Sequence, residues 1–279
     1  MDKEKTLREI QSNIKNGNMP LASGQILELA NQFSDDPFTL LTCASLLKVI
    51  EDEKSAADLA RVIPDKVEDK DRLEAAKGLR SIGFPAEAEK VLSHAMDSDD
   101  ILREKMHIFF DLRMYKESSG SYEQLASPTL DDTAVMIRSV SAGKEHDRAV
   151  KLAEGLLSEA PDDLNVKVCY CAALSAAGRS KEAGKFVKEN LKKSKSKPDA
   201  DALVSYYLWI EGKTVSAGAY ASKAVKGDPS NILGMEILAY SLVEKKKINE
   251  AKIVAGAINE KEPGNPAVVR ILDMCRNAR

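Results

Sequence analysis

Apolar and polar positions along the chain follow a register that returns about every 34 residues. A small residue a few positions after a polar turn marks the phase. It recurs as Ala22, Ala56, Ala88, Ser118, Ala149, Ala183, Ala217 and Ala251, at spacings of 34, 32, 30, 31, 34, 34 and 34. Nine residues before each marker stands Asn13, Leu47, Leu79, Phe109, Val140, Leu174, Leu208 or Leu242, apolar in seven of eight. Three residues further back stands Ile10, Ala44, Ala76, Met106, Ile137, Cys171, Ser205 or Ala239, small in five of eight. Twelve residues after three of the last four markers comes Pro161, Pro229 or Pro263, each in a polar or acidic turn. Self-similarity at such a period is the signature of stacked supersecondary units.

Within one period the pattern predicts a helix hairpin. In 164–197, Val168, Cys171, Leu174 and Ala177 recur at spacings of three and form an apolar helical stripe. Gly178 is placed to end that helix, and Ser180 is a candidate N-cap for the next, whose inner face is Ala183, Val187 and Leu191. The marker is small because two helices cross there, and close axes leave little room for a side chain. A hairpin that is apolar on two sides must be covered by a neighbouring hairpin.

Composition agrees. The 279 residues include 34 alanines and only 5% aromatics, so the core is built from small side chains on closely approaching helices. Fifteen glycines and ten prolines are too few for a turn-rich β fold, and a net charge of −3 excludes a uniformly basic coat. The start, MDKEKTLREI, has no apolar core of a signal peptide, and no stretch approaches 18 apolar residues. Cys43, Cys169, Cys171 and Cys275 form no CxxC pair and read as four reduced, buried thiols in a cytoplasmic protein.

With this register the chain resembles the tetratricopeptide-repeat family. That family's unit ends in a small residue, an apolar residue four later and a proline. Ala149–Ala153–Pro161, Ala217–Ala221–Pro229 and Ala251–Ala255–Pro263 follow it, and Ser118–Tyr122 supplies an aromatic in the second place. No unit has the family's first-helix tryptophan, and its glycine slot is never glycine. The resemblance implies an all-α helix-hairpin solenoid forming a single repeat domain over 1–279. Its repeats are 3–36, 37–68, 69–98, 99–129, 130–163, 164–197, 198–231 and 232–265, wound as a right-handed superhelix and closed by a capping helix at 266–279. The shortened units over 69–129 should carry the main irregularity. In the capping helix Val269 and Leu272 are expected to pack on the last hairpin, while Asp273 and Arg276 forbid further stacking.

No catalytic constellation is present. His94, His107 and His146 lie beyond helical reach of a second ligand, and glycine-rich phosphate loops, HExxH and GxSxG are absent. The Glu51-Asp52-Glu53 run reads as a solvated turn followed by acidic residues at a helix N-terminus. Neither an enzymatic role nor a metal or other cofactor is expected. From Lys181 to Lys197 seven lysines stand against Glu182 and Glu189, with one aromatic and no arginine. That run reads first as a solvated helix back, and as an RNA- or ribosome-binding strip only in the alternative.

The resemblance places the binding surface on the concave layer of first helices. Projected there, the front half offers Arg8, Gln11, Lys70, Glu74, Lys77, Arg103, Glu104 and His107. The back half offers Cys169, Ala172, Leu203, Tyr206, Trp209, Ile237, Tyr240, Ile271 and Met274. Tyr, Trp and Met dominate binding hot spots, so Leu203, Tyr206, Trp209, Ile237, Tyr240, Ile271 and Met274 are the candidate site. The lysine-and-asparagine clamp with which some family members hold a chaperone tail is not matched. Its places hold Leu7, Gln11, Thr42, Lys70 and Glu74. The expectation is an adaptor that binds a peptide or helix of another protein, with self-association as a further possibility and neither nucleic acid nor membrane as partner.

Overall fold

The computed structural model describes residues 2–278. Among them are seventeen α-helices and no strand. Contacts divide the chain into two compact units, Met1–Ala126 and Ser127–Arg279. The first holds four hairpins: α1 (Lys3–Lys15) with α2 (Met19–Gln32), α3 (Pro37–Val49) with α4 (Glu53–Val62), α5 (Arg72–Ser81) with α6 (Pro85–Leu92), and α7 (Asp99–Asp111) with α8 (Tyr115–Glu123). The second holds α9 (Leu130–Ala142) with α10 (His146–Glu159), α11 (Leu164–Ala176) with α12 (Ser180–Lys193), α13 (Lys197–Ile210) with α14 (Thr214–Gly227), α15 (Ile232–Glu244) with α16 (Ile248–Lys261), and the single α17 (Pro266–Asn277). The described helices pair as hairpins, with α17 left single. The irregularity begins slightly before 69, where two 3-10 turns, Pro64–Lys66 and Asp69–Asp71, join α4 to α5.

All eight phase markers, Ser118 included, are completely buried. Ser118 occupies the alanine position in its hairpin by donating its hydroxyl to the Met106 carbonyl at 2.8 Å. The residues twelve before each marker, from Ile10 to Ala239, are buried as well. They are the other half of each crossing.

The two helices of a hairpin start differently. First helices open on side-chain caps: Asp2, Asp36, Ser98, Thr129, Asp163, Ser196 and Asn231 each accept a backbone N–H, and α5 alone among them does not. Asp36 does most, accepting from the amides of Phe38 and Thr39, from the Thr39 hydroxyl and from Lys3 of α1. Burial would raise its carboxyl, but the Thr39 and Lys3 hydrogen bonds outweigh that and hold it down at about 2.

Second helices start from a three-residue turn whose middle residue has positive φ. These residues are Gly17, Glu51, Gly83, Arg113, Lys144, Gly178, Gly212 and Lys246, with φ between 58° and 88°. Each stands five residues before its marker. In the 164–197 hairpin the Arg179 N–H reaches back to the Leu174 carbonyl at 2.8 Å and Gly178 N–H to Ser175, the reciprocal pairing that closes a helix C-terminus. Ser180 is thus not a cap. It is the first residue of α12, behind Arg179, which makes no side-chain cap bond. Glu51-Asp52-Glu53 is turn and helix start as expected, with Asp52 accepting from the Ser55 amide at 3.1 Å.

α17 docks chiefly through Ala267, Ile271 and Cys275, which are buried against the last hairpin. Leu272 packs half-buried against the same core as expected, and Val269 is half-buried. Asp273 and Arg276 pair with each other at 2.9 Å. No helix among the described residues is long and apolar enough to cross a membrane.

Candidate functional site

Within Ser127–Arg279, first helices α9, α11, α13, α15 and α17 pack successively against one another, while second helices pack against the first helices on either side. The first helices thus form one continuous layer of this unit. The 34-residue period then sorts their residues into columns.

One column, Cys169, Leu203, Ile237 and Ile271, is core. Leu203, Ile237 and Ile271 are only 1%, 2% and 0% exposed. They fill the seams between neighbouring first helices and cannot serve as free anchors, which removes three of the seven candidates from the surface. Burial pushes the Cys169 and Cys171 thiols up to about 11 and about 12. Cys43 and Cys275 are likewise buried and in no disulfide.

Three residues on along the helix stands a second column, Arg138, Ala172, Tyr206, Tyr240 and Met274. Arg138 is exposed; Ala172, Tyr206 and Met274 are half-buried; Tyr240 keeps 6% exposure. Trp209, one turn further along α13, stacks on Tyr240 with centroids 5.1 Å apart and planes 15° apart, and tilts against Tyr206 at 6.4 Å. Such ring pairs add to what burial alone contributes. The three rings are therefore a rigid platform, with much of their area already spent on each other.

Charge frames the platform. Glu236 accepts from Asn265 at 3.2 Å. Burial raises its carboxyl, and the Asn265 bond and the Arg270 and Arg138 guanidinia work against that rise. Burial likewise raises the Tyr206 and Tyr240 hydroxyls. Beside Tyr206 lies a cleft of about 510 Å³ lined by Ala172, Ser175, Ala176, Ser180, Ile210 and Glu211. The Ser175 hydroxyl oxygen in it is buried and has no hydrogen-bond partner. Arg138, Glu236 and Arg270 were missed from sequence. The signal was available, since Arg138 lies 34 residues before Ala172 and Glu236 34 before Arg270.

In the other unit the projected polar groove is partly internal. Glu104 is buried and paired with Arg80, and Lys70 is on no first helix but in a 3-10 turn, 2.9 Å from Glu68. His94 lies just beyond α6, and His146 opens α10 with its Nδ1 buried and unpartnered. Among the described residues no three His, Cys, Asp or Glu side chains are grouped so as to hold a metal ion.

No protein-family model matches the sequence, and no curated protein matches it. Solved structures do. A tetratricopeptide repeat protein from Parabacteroides merdae superposes with TM-score 0.51 at 11% identity, over 86% of this chain and 98% of that one. Yeast Tom70 gives 0.47 at 12% identity over all of this chain and 64% of its own, and a human IFIT1 dimer with m7Gppp-AAAA gives 0.40 at 15%, over 93% and 70%. At such identities the likeness speaks for the fold alone. With its buried crossing alanines and eight successive hairpins, the chain has the tetratricopeptide-type fold.

Proposed function

We propose that the chain is a non-catalytic scaffold that binds a segment of another protein on the first-helix layer of Ser127–Arg279. The segment docks over the half-buried Tyr206, Trp209 and Met274, with the buried Tyr240 backing Trp209. The observation that carries this reading is the aromatic platform itself: Trp209 stacked on Tyr240 and tilted against Tyr206 on the first-helix layer, bordered by the exposed Arg138 and Arg270. Rigid Tyr and Trp rings give contact area at little entropic cost, and flanking charges select register. The cleft beside Tyr206 takes one side chain of the segment. The guanidinia favour a carboxylate next to that anchor.

The test uses the partner isolated by affinity capture on the wild-type chain, then titrated against variants. Tyr206→Ala and Arg138→Glu should each weaken binding by about 1–3 kcal/mol, the range for hot-spot truncation. Circular dichroism should show both variants folded, so that the loss of affinity reports on the surface. Trp209 emission should shift as the partner desolvates it. Wild-type affinity in both variants would place the interface elsewhere.

A further inference from the structure

The lysine-rich α12 forms one wall of a second cleft. It measures about 610 Å³ and is lined by Lys181, Lys185, Lys188 and Lys192 of α12, with Tyr207, Leu208 and Lys213 opposite. The four α12 lysines follow a four-three-four spacing, so they share one face and form a row roughly 16 Å long at 1.5 Å per residue. All are exposed, and among the described residues none of them, nor Lys213, has a carboxylate within ion-pairing reach, although Lys193, Lys195 and Lys197 do.

The repeat does not require this row. One period earlier the same positions hold Asp147, Lys151, Glu154 and Ser158; one period later Val215, Ala219, Ser222 and Lys226; two later Asn249, Ile253, Gly256 and Glu260. Like charges three and four apart destabilise a helix. On α12 only Glu182 and Glu189 stand against that repulsion, and Glu182 pairs with Arg179.

We propose that this cleft binds an acidic helical segment of a protein partner, laid along α12 with Asp or Glu at the same four-three-four spacing. A helix presents carboxylates on one face at that interval, and the half-buried Leu208 on the floor receives an apolar residue beside them. Three features favour a peptide over a polynucleotide. The row has no arginine to grip phosphate with a planar fork. The cleft holds a single ring, Tyr207, whose hydroxyl lies where a side chain at residue 184 would stand and donates to the Ser180 carbonyl at 3.3 Å; one tethered ring offers no series on which successive bases could stack. Glu189 interrupts the row. A peptide can leave that place neutral, whereas a phosphodiester carries charge at every step.

The experiment measures anisotropy of a labelled helical peptide with glutamates at that spacing, on the full chain, beside its all-glutamine counterpart and a labelled oligouridylate. The acidic peptide should bind tightest, and Lys185→Gln/Lys188→Gln/Lys192→Gln should weaken it about tenfold, the sum of three exposed charge pairs. Lys213→Gln should weaken it less, from the opposite wall. Glu189→Lys, by completing the positive track, should raise oligouridylate affinity more than peptide affinity. Circular dichroism of each variant confirms an intact fold. The proposal is overturned if the glutamine peptide binds as well as the acidic one, if both lysine variants bind as wild type does, or if oligouridylate outbinds the peptide on the wild-type chain.

Discussion

Ala183 and Ala217 have no exposed surface at all, because each lies where the two helices of its hairpin cross. Enlarging either side chain forces the axes apart or the neighbours off their rotamers. Ala183→Leu and Ala217→Leu should each cost about 1–3 kcal/mol in a denaturant melt, the usual cost of overpacking a dense core. Unchanged melting in both would refute the crossing geometry. These positions were legible from composition and spacing alone, since a small residue recurring every 34 positions has few explanations besides close approach. The fourth hairpin shows what the register demands: Ser118 is tolerated because its hydroxyl finds the Met106 carbonyl.

At the scale of the element, the hairpin turn decides where each second helix begins. Its middle residue is left-handed in all eight hairpins, yet only four of these residues are glycine. Glu51, Arg113, Lys144 and Lys246 carry a Cβ in a conformation that disfavours one. Lys246→Gly should therefore raise stability by about 0.5–1 kcal/mol, the relief exceeding the entropy that glycine adds to the unfolded chain. Gly178→Ala should lower it by about 1 kcal/mol. Denaturant titration reads both, and a destabilised Lys246→Gly would contradict the turn assignment. The sequence concealed this rule, because charged residues fill half of the left-handed positions. It also made Ser180 look like a cap, when the turn's own backbone bonds already end one helix and start the next.

For the whole molecule, the buried thiols set the response to alkali. Cys43, Cys169 and Cys171 are held at about 11, about 11 and about 12 by burial. An unfolded cysteine ionises near pH 8.5. Above that value the unfolded chain sheds protons that the folded chain retains, so stability falls as pH rises through the folded values. Below it the contribution is complete. Melts should accordingly be level from neutral pH to about pH 8 and then decline steadily; the raised Tyr206 and Tyr240 hydroxyls deepen the decline above about pH 10. In native protein near pH 8 a thiol reagent should react slowly, and quickly once denaturant is added. Prompt reaction of all four thiols without denaturant would count against the burial.

Sequence alone determined the all-helical class, the hairpin period, the crossing residues and the presence of a terminal helix. Each of these depends on interactions within one hairpin, which a single period records. Tertiary structure decided which face of a first helix is seam and which is surface. Leu203 and Tyr206, Ile237 and Tyr240, and Ile271 and Met274 stand three residues apart, about 60° around a helix with 3.6 residues per turn. A rotation of that size between consecutive hairpins moves an aliphatic column from open surface into the packed seam. It also brings Trp209 onto Tyr240 of the next repeat. That rotation is set jointly by every side chain at the inter-repeat contact, and no single period of the sequence contains it.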